Sequence, residues 1–188
     1  MKKSACVKLY CPGMVLFDPV QLVALMAKRG TTDTNIFDVF VNDEVFGRQA
    51  IEQGVVCPIY PISEHHYIVF VEDSAESLGC LPEPVFVHSG LPKMVSSGVL
   101  VVSDLNALLD WDARFFLNYK AEHCSRLPNN DYVDVKPGLY SLSVKGYAGL
   151  RGHETAFGYG LEFTSVQSLP KISDDASMSN FDFELVAR

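Results

Sequence analysis

The segment "DYVDVKPGLYSLSVKGYAG", residues 131–149, decides the fold class of this chain. Pro137 and Gly138 stand at the second and third positions of "KPGL", which is the signature of a type II turn. Apolar and small polar residues alternate after the turn: Tyr140, Leu142 and Val144 face one way, and Ser141, Ser143 and Lys145 face the other. A period of two is typical of an antiparallel strand with one buried face. The segment therefore predicts two strands around a turn, and none of its residues requires a catalytic role.

Strand signals of the same kind recur along the rest of the chain. They lie in residues 2–10, 35–41, 65–71, 85–89, 97–104, 157–169 and 181–187. Turn residues such as Gly and Pro separate most of them, and we find no internal repeat and no interdomain linker. The sequence therefore predicts a mainly β fold, an antiparallel β-sandwich of about eight strands with one or two packed helices. We expect a single domain over residues 1–188.

The clearest helix signal is "DPVQLVALMAKRG", residues 18–30. Asp18 is a good N-cap, Pro19 suits the first helical position, and Gly30 suits a left-handed C-terminal residue. The pattern predicts a helix near residues 19–29. We expect its buried face to carry Val20, Val23, Ala24 and Ala27, widened by Leu25 and Met26.

Two further segments have helical character. Residues 104–120, "DLNALLDWDARFFLNYK", begin with a possible cap and are rich in large apolar side chains, which predicts a helix near 105–119. A strand over "ARFFLNY", residues 113–119, is the alternative. Residues 42–54, "NDEVFGRQAIEQG", predict a short helix closed by Gly54, after the strand-like "NIFDVFV" of residues 35–41.

Composition limits the classes of function. Apolar residues make up 48% of the 188 residues, the net charge is −8 and the pI is near 5.0. Because a nucleic-acid binder needs a basic face, we expect no nucleic-acid partner, whereas a basic protein partner is compatible with an acidic chain. No window approaches 18 apolar residues, so we expect no membrane partner. The five cysteines are scattered, which favours the cytoplasm.

Motifs for catalysis and cofactor binding are absent from the sequence. It contains no CxxC, HxH or HExxH for a metal, no GxSxG for a nucleophile, and neither common phosphate-binding loop. A Cys–His pair, such as Cys124 with His123 or His88, stays open because it would assemble only in space. We therefore expect no cofactor and no metal site, and we assign no catalytic residue.

Two segments resemble one protein family. Residues 42–72 combine an acidic opening with a following strand, and residues 133–147 combine a Pro-Gly turn, a tyrosine and an alternating strand. In order and spacing they resemble the competence-type nuclease inhibitors and related small bacterial immunity-like β-sandwich proteins, with residues 85–104 matching the middle strands. The resemblance covers about residues 40–165. Residues 1–40 and 104–120 look like additions to the family domain, and no inhibitory residue is carried over.

The resemblance implies a non-enzymatic inhibitor or immunity-type protein, bacterial and cytoplasmic, in which an acidic edge blocks the basic groove of a nuclease or toxin. By composition, the candidate partner-binding residues are Asp43, Glu44, Glu72, Asp73 and Glu76, with Tyr147 and Tyr159 as an aromatic contact patch.

Two other functions remain as alternatives. The chain is an enzyme or small-ligand-binding β-sandwich whose site gathers His65 or His66, His88 and a carboxylate, or it is a structural module of a phage or mobile element. A deep pocket with convergent ionisable groups would favour an enzyme or ligand carrier, and an acidic surface patch would favour a protein binder.

Overall fold

The computed structural model describes residues 1–73, 81–122, 127–151, 155–172 and 181–186. These residues contain nine strands: β1 Ser4–Lys8, β2 Met14–Phe17, β3 Val56–Ile59, β4 His66–Val71, β5 Phe86–Val95, β6 Val99–Asp104, β7 Asn130–Asp134, β8 Gly138–Ala148 and β9 Phe157–Ser165. They also contain six helices: α1 Pro19–Arg29, α2 Ile36–Asn42, α3 Glu44–Glu52, α4 Asn106–Leu109, α5 Ala113–Leu117 and α6 Tyr119–Glu122. The prediction of a mainly β chain is confirmed, but the helices outnumber the one or two expected.

The strands form two sheets. A five-stranded sheet has the order β1-β4-β9-β8-β5, and a four-stranded sheet has the order β3-β2-β6-β7. Neighbouring strands are antiparallel except β4 and β9, which are parallel. The "KPG" segment carries the chain from β7 in the smaller sheet to β8 in the larger one, so the two strands around it do not pair with each other. The predicted type II turn is wrong, because Gly138 does not have the positive φ that this turn requires.

The inner faces of the two sheets share one hydrophobic core. Leu142 and Val144 of β8 meet residues of the smaller sheet such as Leu16 and Val102, and all four side chains are buried. Because alternate strand residues face opposite sides, each strand supplies every second residue to this layer. The period of two in the quoted segment therefore corresponds to real burial.

The C-terminal segment enters the same core without forming a strand. Within the described residues 181–186, Phe183 and Leu185 are buried between the sheets, and the carbonyl oxygen of Phe183 accepts a hydrogen bond from Tyr159 Oη at 3.0 Å. The strand predicted over residues 181–187 is therefore wrong for the part that the structure describes. The alternation of Phe181 and Phe183 reflects packing against the core, but residues 181–186 form no hydrogen-bonded ladder with a strand.

Helix α1 begins and ends as its sequence predicts. Asp18 Oδ1 accepts hydrogen bonds from the N–H groups of Val20 and Gln21, and Gly30 ends the helix with a φ of 75°. The expected burial is correct for Leu25 and Met26, which are buried together with Pro19 and Leu22. It is wrong for Val20, Ala24 and Ala27, which are exposed. Helix α1 packs over the outer face of the smaller sheet, in a second hydrophobic cluster that also contains side chains of α2, α3, α4 and α5.

Residues 35–41 form a helix and not the predicted strand. Asn35 Oδ1 caps α2 by accepting a hydrogen bond from Asp38 N–H at 3.1 Å, and Ile36, the first residue of the helix, is buried. Phenylalanine and β-branched residues favour strands, but their burial here follows a helical spacing, with Phe37 and Phe40 on the side that faces the sheet. Tertiary packing therefore overrides local propensity. The predicted helix over residues 42–54 is present as α3.

The second long helix is broken into three short ones. Asp112 caps α5 by accepting a hydrogen bond from Phe115 N–H at 3.0 Å, so the chain leaves the helical path between α4 and α5. Trp111 sits at this break and stacks on Phe116 at a centroid distance of 5.1 Å. The alternative strand over residues 113–119 is also wrong.

Candidate functional site

The predicted histidine site is not assembled. His65 and His66 are exposed at the start of β4, while His88 lies on β5, with β9 and β8 between them. Three strand spacings amount to about 14 Å, too far for shared ligation. His88 Nε2 instead lies 2.8 Å from the carbonyl oxygen of Asp182, and its ring stacks on Phe86. The prediction that these histidines converge is wrong, because the sheet order separates their strands.

Glu72 is held in a polar cluster on the outer face of the larger sheet. Its Oε1 accepts a hydrogen bond from Tyr147 Oη at 2.7 Å, and its Oε2 lies 3.2 Å from Lys145 Nζ. Burial, and then the Glu72 carboxylate, raise the pKa of Tyr147. Asp73 is exposed beside this cluster, and Glu76 lies outside the described residues. Glu72 is therefore engaged within the fold and separated by both sheets from Asp43 and Glu44.

The two predicted contact tyrosines are buried. Tyr159 has no exposed surface, lies in the core between the sheets and donates its hydroxyl proton to the backbone. Tyr147 packs with Phe70 in a small cluster on the outer face of the larger sheet. The prediction that they form a surface patch is wrong, because both side chains face packed layers on their strands.

Asp43 and Glu44 lie at the junction of α2 and α3. Asp43 caps α3 by accepting a hydrogen bond from Phe46 N–H at 3.0 Å, and it pairs with Arg29 at 2.7 Å. The Phe46 N–H first, and then the Arg29 guanidinium, hold the pKa of Asp43 below its ordinary value. Arg29 also lies over the Phe46 ring, 4.5 Å from its centroid. Arg29 therefore holds the junction of α2 and α3 against the C-terminal end of α1.

Around this junction lies a surface that we call the acidic corner: Asp33, Asp38, Val41, Asp43, Glu44 and Val45. Residues 29–52 contain five carboxylates and two guanidinium groups, a net charge of −3. Val41 is 56% exposed and Val45 is 69% exposed, and they lie among these carboxylates. Exposed apolar side chains ringed by charge are typical of protein contact surfaces.

An apolar cavity of about 530 Å³ adjoins the acidic corner. It lies between α2 and α3 and the outer face of the smaller sheet, and its apolar lining includes Phe37, Phe40, Ile51, Val56, Leu105 and Leu108. Glu44, Arg48 and Glu52 follow one another at intervals of four residues on α3, line the same cavity and are exposed. Val41 and Glu44 border both the cavity and the corner, so the two features form one continuous surface.

Sequence reasoning missed most of this surface. It identified Asp43 and Glu44 but interpreted residues 35–41 as a strand, which hides the shared helical face of Phe37, Phe40 and Val41. The available signal was the spacing of three and four residues between them, together with Asn35 as a cap.

The structure also buries a lysine that the sequence does not single out. Lys93 on β5 is fully buried and donates hydrogen bonds from Nζ to the carbonyl oxygens of Val55 at 2.8 Å and Leu16 at 3.2 Å. Burial lowers its pKa to about 8 and raises the pKa of the neighbouring Cys57 thiol to about 11. Through its hydrogen bond to Leu16, Lys93 links β5 of the larger sheet to β2 of the smaller one, and both Lys93 and Cys57 are buried.

Within the described ranges, no group of three His, Cys, Asp or Glu side chains is placed to hold a metal ion. No helix in the same ranges has the length and apolar character needed to cross a membrane.

Comparisons with known proteins find little. No protein-family model matches the chain, and no curated protein matches it. Among solved structures, the chain is similar to ComJ, inhibitor of the DNA degrading activity of NucA, from Bacillus subtilis. The sequence identity is 11%, the match covers 87% of this chain and 96% of that one, and the TM-score is 0.44. At this level of similarity, neither function nor residue roles transfer to the present chain.

Proposed function

We propose that this protein binds a basic protein through its acidic corner, without catalysis, and thereby inhibits a partner of the nuclease or toxin kind. The observation that carries the proposal is the exposure of Val41 and Val45 among the carboxylates of Asp38, Asp43 and Glu44. Apolar side chains supply contact energy when a partner covers them, and the carboxylates select a cationic partner and speed its approach.

The resemblance of residues 42–72 and 133–147 to the competence-type nuclease inhibitors suggests a nuclease as the partner. A nuclease must present cationic groups to the phosphates of its substrate, so its groove is the surface that an acidic corner complements. Occlusion of that groove blocks substrate by bulk and by charge. The proposal places the complex in the bacterial cytoplasm, where the scattered cysteines stay reduced.

A matched pair of charge reversals tests this function. The variant D38K/E44K reverses two carboxylates of the corner, and the control E64K/E83K makes the same change in net charge at exposed residues elsewhere. Tagged wild-type protein is used to capture partners from host lysate, and each captured partner is then purified. We expect a basic partner that elutes in about 0.5 M salt, because surface charges are screened within a few ångströms there.

Quantitative binding and inhibition then decide the proposal. We expect D38K/E44K to weaken binding to the purified partner at least about tenfold while E64K/E83K changes it little. Wild-type protein at a one-to-one ratio should stop DNA degradation by that partner, and D38K/E44K should not. Equal loss of binding in both variants would refute the corner as the interface. A basic partner without nuclease or toxin activity would refute inhibition while leaving the binding function intact.

A further inference from the structure

We propose that the apolar cavity beside the acidic corner receives one apolar side chain of the partner, flanked by two basic residues in a basic-x-apolar-x-basic segment. This inference rests on the proposed function, since it names what the partner presents to the same surface. It assigns the anchor to the cavity and the two cations to Glu44 and Glu52.

The cavity is large and apolar enough to accept an anchor. At about 530 Å³ it falls within the range of small-molecule pockets, and aromatic and branched side chains form most of its lining. Val56 of β3 and Leu108 of α4 are buried side chains on its sheet side, while Phe40 and Ile51 form its helical side. Water gains few hydrogen bonds in such a space, so an entering aromatic ring replaces poorly bound solvent with dispersion contacts.

The charges along α3 select the sign of the ligand. Glu44, Arg48 and Glu52 lie on one face of the helix because they are four residues apart, and together they carry a net charge of −1. The neighbouring corner adds Asp33 and Asp38 to the field at the opening, while the charge of Asp43 is balanced by its ion pair with Arg29. An anionic amphiphile such as a fatty acid would meet repulsion there, whereas a cationic segment is attracted.

The spacing of the two glutamates selects the shape of the segment. Eight residues separate Glu44 from Glu52, and at 1.5 Å per residue this is about 12 Å along the helix axis. In an extended segment, residues i−2, i and i+2 point to the same side, and the outer two are about 13 Å apart. Two cations at i−2 and i+2 therefore reach both glutamates while the apolar residue at i enters the cavity.

The cavity is continuous with the acidic corner, which favours a protein segment over a free small molecule. Val41 and Glu44 line both features, so a partner that lies on the corner is placed next to the cavity opening. An anchor in a pocket surrounded by steering charges is the arrangement that concentrates binding energy at a protein interface.

The test uses short peptides and the full chain labelled with ¹⁵N. The probe is acetyl-Lys-Ser-Phe-Ser-Lys-amide. Its controls replace Phe with Ala, replace both Lys with Glu, or move both Lys to one end. We expect the probe to bind at least about tenfold more tightly than each control and to shift amide signals of α2, α3 and β3. Equal affinity for the Phe and Ala peptides, or shifts confined to other elements, would overturn the proposal.

Variants of the cavity complete the test. V56F fills the cavity from the sheet side, and I51W fills it from the helical side. If one variant does not fold, the other still tests the anchor. V20F, at an exposed position of α1, is the matched control. We expect the filled variants to lose at least about tenfold in peptide affinity and the control to lose none. Unchanged affinity in a folded V56F or I51W variant would refute the anchor.

The two proposals fail differently. If a captured partner binds D38K/E44K weakly but binds a folded V56F or I51W variant with wild-type affinity, the anchor is wrong and the binding function stands. If the peptide binds and loses affinity for V56F or I51W, but no captured protein loses affinity for D38K/E44K, the protein-binding function is wrong. If phenethylammonium binds as tightly as the peptide, the cavity is a small-amine site and the anchor proposal is overturned.

Discussion

The layer between the two sheets and the layer under α2 and α3 are both apolar, but the second contains a cavity of about 530 Å³, against about 280 Å³ at the edge of the first. Between the sheets, Leu16, Val102 and Leu142 have no exposed surface, and even the lysine in that region finds two carbonyl partners. Under α2 and α3, an opening of about 530 Å³ remains. Strand ladders hold every residue of a sheet in register, whereas helices of seven and nine residues rest on a few side chains and one cap each. We infer that stability is concentrated in the first layer and recognition in the second.

The largest contrast is expected from truncating one side chain in each layer. Leu142→Ala removes a fully buried side chain between the sheets and should lower the free energy of unfolding by about 2–5 kcal/mol. Ile51→Ala, at a half-buried position that already lines the cavity, should cost about 1 kcal/mol. Urea unfolding of both variants measures the difference. Equal costs would mean that the two layers contribute alike to stability and would break the comparison.

A pair of glycines tests how the helical layer is tied to the sheets. Gly54 has a φ of 67°, and a Cβ there would lie 2.7 Å from Met94 N, whereas Gly30 has a φ of 75° with open space around it. Gly30→Ala should cost about 1 kcal/mol from backbone strain alone. Gly54→Ala should cost clearly more, about 2–3 kcal/mol, because the β5 backbone must also move. Thermal unfolding of the two variants measures the two losses of stability. Similar losses would show that the β5 backbone shifts at little cost.

The buried lysine predicts a pH dependence of stability. The folded-state pKa of Lys93, about 8, lies below its ordinary value of 10.5, so the unfolded chain binds more protons between these values. Stability should therefore rise with pH through this window, by about 1 kcal/mol from pH 7 to 9. Unfolding measured at both pH values checks this.

Lys93→Met is the matched control, since it removes the titrating amine and keeps an unbranched side chain in the same place. The variant should be as stable as wild type or more so at pH 7, because burying the charge has a cost that methionine avoids. It should also lose the rise in stability toward pH 9. A wild-type protein whose stability is flat over this range would show that Lys93 is not desolvated as the structure indicates.

The smallest effect on stability is expected at the acidic corner itself. Val45→Ala and Glu44→Lys change exposed side chains and should alter the free energy of unfolding by no more than about 0.5 kcal/mol. The same changes should weaken partner binding under the proposed function. A loss of more than 1 kcal/mol of stability in either variant, on the order of a buried contact, would mean that the corner belongs to the stabilising part of the fold.

Elements with local signals can be predicted from the sequence alone. The alternation of residues 139–147 and the cap, proline and glycine of α1 depend on neighbours within a few positions, so both elements lie where the sequence predicts them. Asp43 and Glu44 are also identified from the sequence, as acidic residues after a predicted strand, although that strand is a helix in the structure.

Which faces pack against each other depends on contacts between residues that are distant in the sequence. Residues 36–42 carry strand-favouring side chains, yet they form a helix because the outer face of the smaller sheet offers them an apolar layer. His88 lies three strands from His66, and Tyr159 points into the core, because sheet order and strand face are set by pairing between distant residues. The cavity arises in the same way, from helices and strands whose shapes do not fully complement each other. The spacing within a segment can indicate a helix, but it does not indicate which distant element the helix packs against, and that packing created the surface on which the proposed function rests.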